Sequence, residues 1–373
     1  MASQTDTQAR AAPGSQEVPS IDLNGARILL TAPRFFGYDQ EILRELERRG
    51  AKVDFFADRP FDAPLMHAAA RFSRKAVLAH TERHYRQILS GFEQASYDYV
   101  FVLNGQTLPP GLLADLRSQH PDAVFLFYIW DAIANRPNAK DLLPVFDRTY
   151  SFEPEAALGH AMRFRPLFFA PRFGTPRGAA ETGAEKYDIS FIGTAHTDRY
   201  RVVKKVDAAL PGHVRRFWYL YLQARWVLAA YRLTNPAFRG ARARDFEFAT
   251  LGPDDGARIF WESRAVLDIE HPAQTGLTIR TFETMGAGKK LVSTNRNLAR
   301  YAFFDPARFA LIDRENPAIP PGFLDAPAQP MEESIRNRYS VAGWIDEIFH
   351  TGDHSARHLK PGEWTRPPLA PAT

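Results

Sequence analysis

The chain has 373 residues and a net charge of +4, from 47 Lys and Arg against 43 Asp and Glu. This length exceeds the ~250–300 residues at which one hydrophobic core stops growing, so two domains are expected. Because the chain contains no cysteine, disulfides, thiolate zinc sites and a cysteine nucleophile are excluded.

The two ends differ in composition from the rest of the chain. Residues 1–23 are polar and aperiodic, which predicts a disordered leader, and residues 350–373 are rich in Pro and charge, which predicts a flexible tail. The N-terminus lacks the basic and apolar regions of a secretory signal, and no run reaches the ~20 apolar residues of a membrane-spanning helix. We therefore expect a cytoplasmic protein.

Strands and helices alternate through the first half of the chain. The apolar runs predict strands at residues 28–32, 53–56, 99–103 and 123–130. Helical spacing occurs after the first three of these strands, at residues 39–49, 76–92 and 112–119. Such alternation is typical of a parallel sheet covered on both faces, and it predicts a Rossmann-like domain over residues 24–170.

The same pattern restarts after a small, polar stretch that predicts a linker at residues 171–186. The second domain is expected over residues 187–349. Its predicted strands are residues 187–192, 265–269 and 290–293, and its predicted helices are residues 200–209, 216–233, 254–264 and 277–287. The predicted fold class is α/β, with two doubly wound Rossmann-like domains facing across a cleft.

Ligands of open α/β sheets bind beyond the carboxyl ends of the strands, so the loops there are the first candidates. Gly276 would let a ligand approach the backbone, and the next helix offers free N–H groups and a positive dipole end to a diphosphate. Arg280 would add a permanent charge, and Glu283 would accept hydrogen bonds from ribose hydroxyls. The spacing equally fits a helix capped by Thr275 or Thr278 with a surface Arg280–Glu283 ion pair.

This segment resembles a known family. The stretch QTGLTIRTFE at residues 274–283, followed by GKKL at 288–291, is similar to CgeB-like bacterial glycosyltransferases of the GT-B fold, found in capsule, exopolysaccharide and lipopolysaccharide biosynthesis. The similarity extends over residues 25–349. Other blocks that resemble the family are residues 33–38, 97–102, 128–131, 152–155, 188–193 and 309–317.

The resemblance implies a donor site for a nucleotide sugar in the second domain, with the acceptor on the first. The implied donor-binding residues are Gly193, Thr194, Thr275, Gly276, Arg280 and Glu283. Many retaining relatives carry a second glutamate eight positions earlier, where this chain has Thr275, so the stereochemical outcome stays open. His196 and His271 follow predicted strands and are candidates for hydrogen bonds to the diphosphate.

No metal or other cofactor is expected. The two histidines are too isolated to indicate a metal site, and no Asp-x-Asp pair suggests a divalent cation on the diphosphate. The relatives imply the same metal independence.

Three acidic residues are candidates for the base that takes the proton of the acceptor hydroxyl. Asp131 follows an apolar strand and is the first choice, with capping of the next turn as its alternative role. Asp39 is the second, although capping of a helix start suits it better, and Glu153 is the third.

Residues 199–244 concentrate the positive charge, with eleven Lys and Arg against one acidic residue, Asp207, and interleaved aromatic residues. Three interpretations remain open: basic side chains extending from packed helices, a surface on anionic lipid, or a nucleic-acid patch. Nucleic acid is the least favoured of these partners.

The primary hypothesis is a nucleotide-sugar-dependent glycosyltransferase of bacterial surface polysaccharide assembly, acting on a saccharide or lipid-linked acceptor, in the cytoplasm or on the inner face of its membrane. One alternative is a nucleotide-sugar 2-epimerase of the same fold, which needs no acceptor. The other is a non-enzymatic basic module that binds anionic lipid or nucleic acid through residues 199–244.

Overall fold

The computed structural model describes residues 18–58, 74–92, 96–133, 136, 139–174 and 185–364, and these residues form two parallel β-sheets with helices around them. Residues 1–17 of the predicted leader, 175–184 of the predicted linker and 365–373 of the predicted tail lie outside the described residues. The predicted α/β class with two Rossmann-like sheets is confirmed.

The first sheet has six strands in the order β2-β1-β3-β4-β5-β6, and every neighbouring pair is parallel. Its central strands are buried apolar runs because helices cover both faces. The strands are β1 (Arg27–Ala32), β2 (Lys52–Ala57), β3 (Tyr99–Leu103), β4 (Val124–Ile129), β5 (Arg148–Ser151) and β6 (Arg163–Phe164). The helices are α1 (Tyr38–Arg48), α2 (Arg74–Ser90), α3 (Pro110–Gln119), α4 (Ala139–Leu142) and α5 (Pro154–Gly159).

The second sheet has five parallel strands in the order β11-β10-β9-β7-β8. The strands are β7 (Tyr187–Thr194), β8 (Arg216–Tyr221), β9 (Ser263–Asp268), β10 (Lys290–Ser293) and β11 (Phe309–Leu311). The helices that accompany them are α6 (Arg199–Ala209), α7 (Arg225–Thr234), α8 (Pro253–Trp261) and α9 (Ile279–Gly286). Most predicted elements agree with these to within two or three residues.

The long helix predicted at residues 216–233 is wrong, because its first third is strand β8. The run Arg216–Tyr221 contains four aromatic residues in six, and aromatic side chains fit a pleated surface better than a helix. It pairs along its whole length with β7, which satisfies its backbone groups. The remaining residues form the shorter helix α7. The helix predicted at 254–264 likewise ends at Trp261, since Ser263 already belongs to β9.

Two final helices, α10 (Glu333–Arg338) and α11 (Val341–Phe349), bring the chain back toward the first sheet. Trp344 of α11 is fully buried, and its ring contacts Phe101, Tyr128 and Phe168. These contacts place α11 with the first sheet, whereas the predicted boundaries assign it to the second domain. Sequence periodicity shows that such a helix exists but not which sheet it covers.

The segments next to both ends are packed. Leu23 is buried, and the N–H of Ile21 donates to Asp346 of α11. His358 is fully buried, with Nε2 2.8 Å from an Oε2 atom of Glu347. The structure therefore differs from the predicted flexible tail over residues 350–364. No helix among the described residues is both long and apolar enough to cross a membrane.

Candidate functional site

Parallel strands of the second sheet end at one edge, and the predicted donor residues follow these ends. Gly193 and Thr194 finish β7, His196 lies two residues later, and His271 follows β9. The rings of His196 and His271 lie 6.2 Å apart, so two loops that are distant in sequence meet. The carboxyl edge of this sheet therefore brings these four predicted residues into one region.

Asp268, the last residue of β9, fixes the start of helix α9. The Thr278 hydroxyl lies 2.8 Å from each oxygen of its carboxylate, and the Thr281 hydroxyl lies 3.1 Å from one of them. Burial raises the pKa of Asp268, against the lowering effects of the Thr278 hydrogen bond and the Arg280 charge. Asp268 was not among the predicted site residues, although its position at a strand end was a usable signal.

Glu283 lies one turn into α9, and both its oxygens are engaged. One oxygen accepts from Arg280 Nη1 at 2.9 Å. The other accepts a hydrogen bond from the hydroxyl of Tyr38, at the start of α1. Tyr38 belongs to the first unit, by which we mean the first sheet and the elements packed on it, and the second unit is the second sheet with its own elements. Burial, together with the negative charge of Glu283, raises the pKa of Tyr38 well above its ordinary value, so the phenol remains a protonated donor. The predicted ion pair exists, with the Glu283 side chain buried and 23% of the Arg280 side chain exposed.

Tyr38 reaches Glu283 because of the turn that precedes it. Gly37 has φ of 78°, a left-handed conformation that favours glycine, and it leads directly into α1 at Tyr38. The Tyr38 ring packs edge-on against Phe168 and under the guanidinium of Arg172. Residues 33–38 resemble the family and follow a predicted strand, but no local pattern indicates a role for Tyr38.

The loop before α9 holds a carboxylate from the first unit. An Oε1 atom of Glu153 accepts hydrogen bonds from the N–H groups of Thr275, at 3.0 Å, and Gly276, at 3.4 Å. A Cβ atom on Gly276 would lie 2.7 Å from the Phe152 ring, so the glycine permits close packing of the two units. Burial raises the pKa of Glu153, and the two N–H groups partly oppose that rise. The loop that was predicted to bind a diphosphate therefore contacts a carboxyl group through its backbone N–H groups.

Arg199 adds positive charge at the same edge. Its guanidinium donates to the carbonyl of Ile269 at 2.8 Å and lies 2.9 Å from His196 Nε2. Burial lowers the pKa of Arg199 to about 10, so it stays charged at neutral pH. Burial and the Arg199 charge lower the pKa of His196 to about 4, which keeps the imidazole neutral. Arg199 was predicted only as part of the basic segment at residues 199–244.

The facing edge of the first sheet carries Asp131. Its carboxylate accepts from Asn104 Nδ2 at 3.0 Å and from Arg136 Nη2 at 2.8 Å, and 39% of its side chain remains exposed. The neighbouring Trp130 ring lies 6.2 Å from Phe35, three residues before Tyr38. Loop 33–38 therefore contacts the Asp131 region at one end and Glu283 at the other.

The other two base candidates are less accessible than Asp131. Asp39 lies in the first turn of α1, is 3% exposed, and accepts a hydrogen bond from Gln40. Glu153 is engaged by the loop before α9.

In the part of the chain that the structure describes, no group of three or more His, Asp and Glu side chains is arranged to hold a metal ion. Metal independence stays a prediction.

Comparison with known proteins gives the fold its name. No protein-family model and no curated protein matches the chain. Among solved structures, HepE from Anabaena in complex with UDP and glucose is similar, with a TM-score of 0.50 and 11% identity over 87% of this chain and 98% of that one. The chain has the GT-B fold. At this identity the likeness shows the fold alone, and the CgeB-like resemblance stays a prediction.

Two further structures are similar at lower scores. A glycosyltransferase from Rickettsia africae has a TM-score of 0.46 and 10% identity over 87% of this chain and 92% of that one. A UDP-N-acetylglucosamine 2-epimerase has a TM-score of 0.44 and 9% identity over 92% of this chain and 94% of that one.

Proposed function

We propose that this protein is a nucleotide-sugar-dependent glycosyltransferase. In its finer form the proposal is a CgeB-like enzyme that transfers a sugar to a saccharide or lipid-linked saccharide during bacterial surface polysaccharide assembly, on the cytoplasmic side of the membrane. The domain limits 24–170 and 187–349, with α11 of the second stretch packed against the first sheet, are part of the same proposal. So are the absence of a metal and the roles of the site residues below.

The observation that carries the proposal is the buried Glu283 beside Arg280 on the helix that Asp268 fixes. A buried carboxylate with one oxygen held by Arg280 and the other bound to a hydroxyl group matches what a ribose hydroxyl requires. We assign ribose binding to Glu283, and a ribose hydroxyl replaces the phenol of Tyr38 when the donor enters. The hydrogen bond from Arg280 keeps the carboxylate oriented.

The diphosphate is assigned to the loop before α9 and to Arg199. The N–H groups of Thr275 and Gly276 already bind the carboxylate of Glu153, which supports their use for an anionic ligand. A phosphate oxygen then takes the position of the Glu153 carboxylate. Among the described residues, no carboxylate lies within salt-bridge distance of Arg199, so its charge is available to the second phosphate. Gly193, Thr194, His196 and His271 surround this position.

Asp131 is assigned as the base. It takes the proton of the acceptor hydroxyl while the acceptor oxygen bonds to the anomeric carbon and the bond from that carbon to the diphosphate breaks. The nucleoside diphosphate leaves with the bonding electrons, and the charges of Arg199 and Arg280 stabilise it. Asn104 and Arg136 hold the Asp131 carboxylate in place.

A panel of nucleotide sugars tests the proposal. Thermal unfolding in the presence of each compound identifies the donor, because a ligand that binds only the folded state raises the melting temperature. The selected donor is then incubated alone and with saccharide acceptors, and the products are followed by NMR. Release of nucleoside diphosphate with a new glycosidic bond is expected. An epimerised sugar from donor alone would establish the 2-epimerase instead, and no shift with any compound would contradict both.

A further inference from the structure

The basic segment at residues 199–244 divides into two parts in the structure. Its first six basic residues are engaged within the fold. Arg201 and Lys205 pair with Glu315, and Arg215 pairs with Asp188. Arg216 and Lys204 lie near Asp207, while Arg199 belongs to the site described above. The first part therefore has a structural explanation.

The second part begins with helix α7 and has no such explanation. Its five arginines make no ion pair with a carboxylate of the described residues, and residues 225–247 contain only two acidic residues, both at the end. These arginines are Arg225, Arg232, Arg239, Arg242 and Arg244. The segment keeps a net charge of +3 on the surface, five arginines less Asp245 and Glu247.

Helix α7 also exposes two large apolar side chains. Leu228 packs into the core of the second sheet, with Tyr231 half-buried beside it. On the opposite face, Trp226 is 73% exposed and Leu233 is 89% exposed. These two residues are seven positions apart, so they lie on one face of the helix. They are the two most exposed large hydrophobic side chains among the described residues.

The loop that follows α7 is fixed to the helix. The guanidinium of Arg232 donates to the carbonyl of Ala241, and the Phe238 ring lies 4.8 Å from that of Tyr231. The arginines of this loop are therefore held beside the helix. The result is one surface with an apolar strip, Trp226 and Leu233, next to positive charge. We call it the α7 surface and define it as residues 225–244.

We propose that the α7 surface docks on a membrane that contains anionic lipid. Contact with a nucleic acid, which is a hydrated polyanion, would not stabilise an exposed leucine. Its entry into the acyl boundary of a bilayer is favourable, because apolar surface leaves water. Tryptophan suits the headgroup region because its ring is apolar and its N–H remains able to bond. The five arginines, which form no ion pair with a carboxylate of the described residues, attract anionic headgroups, so charge complementarity selects the lipid.

Vesicle flotation of the full chain tests this surface without any nucleotide sugar, so its outcome is separate from that of the proposed function. Wild-type protein is expected to bind vesicles of phosphatidylcholine mixed with phosphatidylglycerol, to bind less in high salt, and to leave pure phosphatidylcholine vesicles unbound. The W226S/L233S variant is expected to bind at least about tenfold more weakly. The R225Q/R239Q variant is expected to bind these vesicles about 30-fold more weakly, because each arginine contributes roughly fivefold to the affinity and the two factors multiply.

Leu158→Ser is the matched control, since Leu158 is 45% exposed on α5 of the first unit and should not affect vesicle binding. Circular dichroism confirms that each variant is folded. The proposal is overturned if folded W226S/L233S binds as wild type does, if wild type binds neither vesicle, or if it binds both equally. Binding to a DNA duplex that depends on Arg225 and Arg239 but not on Trp226 and Leu233 would also overturn it, in favour of nucleic acid.

Discussion

Replacing Tyr38 by Phe removes the hydroxyl that the first unit donates to Glu283 and leaves the ring contacts with Phe168 and Arg172 in place. In the proposed function a ribose hydroxyl takes the position of this phenol. Donor binding to the wild type must therefore break the Tyr38–Glu283 bond, whereas binding to Tyr38→Phe does not. The variant is expected to bind the donor more tightly.

The size of the effect follows from the kind of bond. A hydrogen bond to a charged group contributes about 1.5–3 kcal/mol, which corresponds to a dissociation constant lower by a factor of about 10–150. The unliganded variant also leaves one oxygen of the buried Glu283 without its partner. Its free energy of unfolding should therefore fall by about 1–3 kcal/mol.

Isothermal titration calorimetry with the nucleotide sugar found by thermal shift measures the affinity. Tyr97→Phe is the matched control, because Tyr97 donates to Asp54 at 2.7 Å just before β3, away from the carboxyl edges of both sheets. It should lose stability without any gain in affinity. A folded Tyr38→Phe variant with unchanged or weaker donor affinity would refute the replacement of the phenol by ribose.

Three further predictions concern the base, the packing of the two units and pH. Asp131→Asn should lower kcat by a factor of about 10²–10⁴ and leave donor affinity unchanged; normal turnover in a coupled assay would remove Asp131 as the base. Gly276→Ala should lower the free energy of unfolding in urea by about 1–3 kcal/mol, because its Cβ would meet Phe152 at 2.7 Å. Gly111 on α3 faces open space, so Gly111→Ala should not lower the free energy of unfolding. Equal losses of stability at both positions would contradict this reasoning. Burial lowers the pKa of His358 from 6.5 to about 4, so the unfolded chain binds the proton first and stability should fall as pH drops from about 6.5 toward 4. In urea unfolding across this pH range, the free energy of unfolding should fall less steeply in His358→Gln than in the wild type. An identical slope in the two proteins would show that His358 does not cause the loss of stability.

The fold was predictable because the central strands are continuous apolar runs. Strands β1, β3 and β10 follow directly from such runs, and the alternation with helices leaves a parallel sheet as the natural arrangement. Strand β8 was missed because its aromatic residues and flanking arginines also fit a helical pattern. The position of α11 against the first sheet was missed because it depends on contacts such as those of Trp344, which are distant in sequence.

The candidate site was predictable in its second half only. The loop and helix at residues 274–283 carry their signal in consecutive positions, so the sequence and its family resemblance single out Gly276, Arg280 and Glu283 as candidates. The partners that engage them come from the other unit, at Tyr38 and Glu153, more than 100 residues earlier. No local pattern records such contacts. The close packing of Gly276 against Phe152, where a Cβ atom would lie 2.7 Å from the ring, was likewise not predictable from the sequence.

Calorimetric titration of wild type and Glu283→Gln with UDP, TDP, GDP and ADP and their sugar conjugates tests the central claim most directly. Glu262→Gln is the control, since Glu262 is buried and pairs with Lys186 at the opposite end of β7. We predict that wild type and Glu262→Gln bind one of these compounds alike and that Glu283→Gln binds it about 10- to 150-fold more weakly. Equal affinity of Glu283→Gln and wild type, or no binding of any compound to the wild type, would contradict the account.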